Sequence, residues 1–192
     1  FKNEIPTKYI PDILISCGRK SVYLSLHLKK KYPKIINIHI QNPKVSPKYF
    51  TFIVAPNHDN FKGENVINSI GALHYFKDKS YSKNNFDNRN LVSCIIGGEN
   101  NHYLFSLKEA NDLCFKIKDL KKKNSNLNFL VITSRRTSNQ VKNLLKNELS
   151  LFAKVWLGEG KNPYKFALYN SEFFIITSDS TSMISEASIT GK

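Results

Sequence analysis

Short apolar runs alternate along the chain with longer stretches whose apolar residues recur at helical spacing. Residues 12–16 (Asp-Ile-Leu-Ile-Ser) read as a buried strand. Gly18 follows, then a helix over 21–31 carrying Val22, Leu24, Leu26 and Leu28. Lys29, Lys30 and Lys31 crowd its end, where the helix dipole favours cations, and Pro33 closes it. Residues 35–40 and 51–55 are two further strands, and 66–70 a short fourth. From residue 91 the alternation restarts. Strands are expected at 91–96, 129–133, 153–157 and 173–177. Helices are expected at 106–122, 138–149 and 163–170, the last with a proline near its first turn. Leu107, Ala110, Leu113, Cys114, Ile117 and Leu120 share one face of the first of these, and Val141, Leu144 and Leu145 point inward from the second. A final helix, capped by Ser180 or Ser182, runs through Ser188.

Strands separated by helix-length segments argue for parallel βαβ units with right-handed crossovers. The polar stretch 75–90, rich in Asn, Lys and Ser, breaks the pattern and reads as a linker. The expected architecture is α/β, with two Rossmann-like parallel-sheet domains facing a cleft. The first domain is placed at 1–75, the linker at 76–90 and a nucleotide-binding domain at 91–192. Beginning at Phe1 and ending just after a helix, the chain reads as a piece of a longer one, with the second domain incomplete. No repeat of 20–50 residues recurs, which sets solenoids aside.

Composition and spacing add several exclusions. A hydrophobic share of 41 % excludes a disordered chain, and no apolar run reaches membrane-spanning length. Residues 1–11 lack the apolar core of a signal peptide, so the expected location is cytoplasmic, either free or peripheral on the inner membrane face. Three scattered cysteines and five histidines, without CxxC or HExxH spacing, point to free thiols and to no metal site. The net charge of +14 comes from 25 Lys and only 4 Arg. A specific nucleic-acid reader leans on Arg and on aromatics at set spacing, and neither pattern occurs. The Lys excess is either a solvated surface or a salt-sensitive attraction to an anionic membrane.

In sheets of this kind ligands sit beyond the carboxyl ends of the strands. The residues there are rich in anion-binding types. Gly18 and Arg19 follow the first strand, at a helix start where free N–H groups draw phosphate or carboxylate; a turn glycine and a surface arginine are the plain alternative. His58 and Asp59 follow the third strand, as a candidate general base or as loop polarity. Gly97 and Gly98 permit close backbone approach to a ligand. Ser134, Arg135, Arg136 and Thr137 follow the next strand, placing two of the four arginines, with their planar bidentate donors, before a helix. Ser180, Ser182 and Glu186 close the series; a carboxylate at Glu186 can accept two sugar hydroxyls or simply favour the helix dipole.

Several strings resemble a known family. They are Ser-Cys-Gly-Arg (16–19), His-Ile-Gln-Asn-Pro (39–43), Ala-Pro-Asn-His-Asp (55–59), Asn-Val-Ile with Gly-Ala-Leu (65–73), Ile-Gly-Gly (96–98), Thr-Ser-Arg-Arg-Thr (133–137), Asn-Pro-Tyr (162–164) and 177–187 (Thr-Ser-Asp-Ser-Thr-Ser-Met-Ile-Ser-Glu-Ala). In order and content they are similar to the plant mitochondrial-fission "elongated mitochondria" family and its bacterial relatives. Thr51, Ser138 and Glu99-Asn100 depart from its usual residues. The resemblance implies a fold like the GT-B glycosyltransferases and a metal-independent reaction without a cofactor. A nucleotide-sugar would be held with Glu186 on the ribose and Arg135, Arg136, Ser182 and Gly98 on the phosphates. Asp59 or His58 would face an envelope or lipid-linked acceptor. It equally implies a second class, a non-catalytic adaptor peripheral to a membrane, to which the triplets Lys29–Lys31 and Lys121–Lys123 would contribute.

Overall fold

The computed structural model describes residues 10–76, 90–100 and 103–192. Most of the expected linker, 77–89, lies outside them. The chain forms two compact units, residues 1–73 and 74–192.

The first unit holds β1 (Ile13–Cys17), α1 (Arg19–Lys31), β2 (Ile36–Ile40), β3 (Phe52–Pro56) and β4 (Val66–Ser69), with all four strands parallel in the order β1-β2-β3-β4. Only the β1–β2 crossover is an α-helix. The β2–β3 and β3–β4 links carry single 3-10 turns at Pro47–Tyr49 and Asn57–Asp59, which corrects the expectation of a helix at every crossover. Side chains hold these links instead. Asn37, fully buried, accepts from the Thr51 N–H at 2.8 Å and donates to the Tyr49 carbonyl at 3.1 Å. Asn65 donates to the carbonyls of Pro47 and Phe50 at 2.9 and 2.7 Å. With backbone polar groups met in this way, no helix is required to close the turn.

Strand alternation sends Ser16, Asn37, His39, Ile53 and Ala55 to one face, where Val22 of α1 and Phe50 pack. The register places Ile13 beside Ile36, Ile15 beside Ile38, Ile38 beside Phe52 and Val54 beside Ile67 on the opposite face. That face is bare. Ile15 is 64 % exposed, Ile67 56 % and Phe52 44 %.

The second unit holds β5 (Leu91–Ile96), α2 (Leu107–Lys123), β6 (Asn128–Thr133), α3 (Asn139–Leu149), β7 (Ala153–Trp156), α4 (Tyr164–Asn170), β8 (Phe173–Ile176) and α5 (Thr181–Ser188). Its parallel sheet has the order β7-β6-β5-β8. One face packs Cys94, Ile96 and Val131 on Ala110, Cys114 and Ile117 of α2 and on Val141, Leu145 and Leu149 of α3. The other packs Ile95, Leu130 and Ile132 on α4 and α5 through Ala167, Leu168 and Ala187. Residues 74–76 belong with this unit, and Phe76 lies in its core. The helix starts follow from local chemistry. Ser106 caps α2 in a capping box with Glu109, Ser138 caps α3, and Ser180, rather than Ser182, caps α5. The hydrogen bonds from Ser106 hold the Glu109 carboxyl below its ordinary range.

Candidate functional site

In the second sheet the strand order reverses at β5. β6 lies on one side of it and β8 on the other, so helices leave its neighbours toward opposite faces. The crevice outside such a reversal is where open α/β sheets bind ligands. The residues after β5, β6 and β8 meet there.

Gly97 and Gly98 follow β5. A Cβ at Gly97 would lie 2.0 Å from an Asp179 carboxylate oxygen, and one at Gly98 2.2 Å from the Arg136 carbonyl oxygen. Only glycine fits at either position, because one neighbour is a wholly buried carboxylate and the other is backbone. The Gly97 N–H donates to Thr177 Oγ1 at 2.8 Å, and the Gly98 N–H to Asp179 Oδ2 at 3.2 Å. The Arg136 guanidinium reaches the same Asp179 oxygen at 2.6 Å, and Thr177 Oγ1 donates to the other at 2.5 Å. The Asp179 side chain is wholly buried, whereas that of Arg136 is 40 % exposed. Thr137 donates to the Gly97 carbonyl and accepts from the Ser134 N–H at 2.9 Å, while Ser134 Oγ accepts from the Arg136 N–H at 3.1 Å. Asp179 is therefore an internal anion, held by the two loops that sequence reasoning singled out for phosphate. Its own role was not anticipated. The visible signal was a carboxylate among small polar residues just past a strand end.

The remaining candidates fall into three settings. Arg135 is exposed and has no hydrogen bond or ion pair among the described residues, so its guanidinium is available. Ser182 is exposed in the first turn of α5. Glu186, one turn further, is half-buried and accepts the Tyr164 hydroxyl on Oε2. Burial and that bond push the Tyr164 hydroxyl above its ordinary range, so it stays protonated and donating. A hollow of about 430 Å³ opens between the starts of α2 and α3, lined by Glu99, Ser106, Arg136, Ser138 and Gln140 among others. Glu186 does not line it.

In the first unit Gly18 takes φ +77° and caps α1, and Arg19 begins that helix, exposed. His58 and Asp59 lie on the 3-10 turn after β3, where neither side chain makes a hydrogen bond or ion pair among the described residues. The structure does not join them into a dyad. The histidine with a partner is instead His39, fully buried on β2, whose Nδ1 lies 2.8 Å from Ser16 Oγ while Nε2 has none. Burial lowers its pKa. Cys17, Cys94 and Cys114 are free thiols, and burial pushes Cys94 up to about 12. Among the described residues no three metal-ligating side chains come together, and no helix is long and apolar enough to cross a membrane.

The family model described as mitochondrial fission ELM1 matches residues 1–192. The chain belongs to that family. Two relatives resemble it over most of its length. The uncharacterized protein RP120 of Rickettsia prowazekii is 26 % identical over 98 % of this chain and 65 % of its own. The mitochondrial fission protein ELM1 of Arabidopsis thaliana is 24 % identical over 95 % of this chain and 50 % of its own. The chain thus spans about half to two thirds of these relatives. Among solved structures, S. aureus MnaA with UDP superposes with a TM-score of 0.56 at 13 % identity, covering 88 % of this chain and 54 % of that one. The likeness shows the fold: this ELM1-family chain is α/β, with two Rossmann-like parallel sheets of the glycosyltransferase-like kind.

Proposed function

We propose that this ELM1-family protein binds a nucleotide-sugar at the carboxyl end of its second sheet. In the complete polypeptide it would transfer the sugar to an envelope or lipid-linked acceptor. The observation that carries this reading is the strand reversal at β5, which brings the glycine loop, the arginine loop and the start of α5 into one crevice. The fold likeness to a structure holding UDP supports the same ligand class. Because Asp179 occupies Arg136 and the Gly98 N–H, phosphate contact is assigned to Arg135, Ser182 and the free N–H groups opening α5, and Gly97, Gly98, Ser134, Arg136 and Thr137 become the frame beneath them. Glu186, already oriented by Tyr164, is left to take a ribose hydroxyl. His58 and Asp59, neither tied to another side chain, are the acceptor-side candidates.

The adaptor reading drew on the lysine triplets. Lys29 donates to the carbonyls of Pro33 and Ile35, and Lys121 to those of Ser125 and Leu127, so one amine of each triplet is engaged in closing a loop. The deciding experiment is thermal unfolding against UDP-, GDP-, ADP- and CMP-sugars, with Arg135→Ala and Glu186→Ala beside the parent. A ligand at 100 times its Kd should stabilise by about 2.7 kcal/mol. One nucleotide should raise Tm in the parent and fail in both variants. No shift with any of the four defeats the reading, and binding to anionic vesicles would then be the result expected of an adaptor.

A further inference from the structure

The segment His74–Phe76 leaves the first unit behind and lies against the second. Phe76 is only 7 % exposed and packs with Ile95, Leu168 and Ala187. Its ring stands edge-on to Tyr164 and Tyr169, each at 6.3 Å. Tyr75 stacks on Phe76 with ring centroids 4.4 Å apart and planes 28° apart, yet it is 76 % exposed. One face of the Tyr75 ring is therefore fixed on a buried neighbour while the other meets water. Most exposed tyrosines swing freely; this one is braced.

The brace leads to the sugar end of the site. Phe76 touches Tyr164, and Tyr164 gives its hydroxyl to Glu186 Oε2, while Oε1 of Glu186 makes no hydrogen bond among the described residues. An unbroken series of contacts thus runs from a carboxylate with one oxygen unbonded to an aromatic face that is uncovered, both among the described residues. A nucleoside offers a matching pair of groups: a ribose hydroxyl to donate to the oxygen, and a flat base to cover the ring. Every base has a π face, so stacking holds a nucleotide without selecting among the four, and a ring already immobilised loses little freedom on binding.

We propose that Tyr75 is the platform on which the base of the bound nucleotide stacks. The inference rests on the nucleotide-binding reading above and names the residue that would hold the base. The phenol hydroxyl is not required; the ring face is.

The test uses the protein with UDP, GDP, ADP and CDP, followed by isothermal titration with whichever binds most tightly. Tyr75→Ala should weaken that nucleoside diphosphate about 5- to 100-fold, and Tyr75→Phe should leave it within about 2-fold. Pyrophosphate and ribose 5-phosphate, read by competition, should bind both variants as they bind the parent. Unchanged nucleotide affinity in Tyr75→Ala overturns the proposal. So does an equal loss for the base-free probes, because that marks a merely structural side chain. As an independent reading, Tyr75→Trp in a Trp156→Phe background should lose fluorescence as the nucleotide saturates, and undiminished emission at saturation would be decisive against stacking. If the parent binds none of the four, the nucleotide reading itself falls and takes the platform with it. If the parent binds while Tyr75→Ala is indifferent, only the platform falls.

Discussion

The crossovers β1–α1–β2 and β5–α2–β6 end in the same way. In the first, Lys29 Nζ donates to the carbonyls of Pro33 and Ile35 at 2.8 and 2.6 Å. In the second, Lys121 Nζ donates to those of Ser125 and Leu127 at 2.6 and 2.7 Å. The sequence offsets are identical. The helix-ending N–H groups match as well, Tyr32 to Leu28 and Asn124 to Leu120. The strands that begin these crossovers differ sharply. Every residue of β5 is buried, whereas β1 has Ile13 and Ile15 in water. Local chemistry therefore builds the crossover, and what returns later in the chain decides whether the strand is covered. In the second unit α4 and α5 come back over the second face. In the first, β2, β3 and β4 follow one another with turns only, and no described helix reaches that face. Parallel sheets are ordinarily covered on both sides.

The largest effect expected from this contrast is at buried leucine against exposed isoleucine. Leu145→Ala should cost about 2–5 kcal/mol in urea unfolding followed by Trp156 emission. Ile15→Ala, followed by far-UV circular dichroism, should cost less than about 0.5 kcal/mol. Equal costs would mean that the face is covered. Next come the buried anion and the glycines. Asp179→Ala strips Arg136 and the Gly98 N–H of their acceptor. It should cost about 3 kcal/mol, toward the lower end of the range for a broken buried pair, because Arg136 can turn to water. Gly98→Ala should destabilise by about 1–3 kcal/mol through direct collision with backbone. Gly18→Ala should lose about 1–3 kcal/mol through its backbone conformation alone (φ +77°, ψ 165°), with open space around the new methyl.

The two units also bury groups that answer to opposite ends of the pH scale. His39 is buried with a lowered pKa. As pH falls below the ordinary value of 6.5, the unfolded histidine takes a proton that the folded one refuses, so the first unit loses stability toward acid. Cys94 is pushed up from 9.0 to about 12. As pH rises above 9.0 the unfolded thiol ionises and the folded one does not, so the second unit loses stability toward alkali. Amide exchange mapped onto the two units reads both, and His39→Gln should remove most of the acid limb. The smallest expected effect tests sameness. Lys29→Met and Lys121→Met should each cost about 1 kcal/mol, and a cost at one site alone would show that the shared ending is coincidental.

Much of this architecture was legible because it is local. The run Leu91–Ile96 was bounded correctly by its continuous apolar character, and Ser106 and Ser138 announced their helices by capping chemistry. The helix-poor links of the first unit were readable only in part. Residues 41–51 lack helical periodicity, yet the asparagines that replace a helix work through contacts such as Asn65 to Pro47, set by how strands pair. The site divides in the same manner. That Arg135 and Arg136 mattered was visible from their rarity. That they split, one free and one held by Asp179 forty-three positions away, was not, since the bond closes only after β8 docks beside β5. Likewise nothing near Glu186 in sequence points to Tyr164, and nothing near Ser16 points to His39.

The buried carboxylate of Asp179 has a kinetic corollary. Arg136, the Gly98 N–H and Thr177 are fixed around it when the chain folds, so the loops beneath the crevice have no ordering left to do when a ligand arrives. Association should then proceed in a single phase whose rate rises in proportion to ligand concentration, without the plateau that a loop closing after capture would impose.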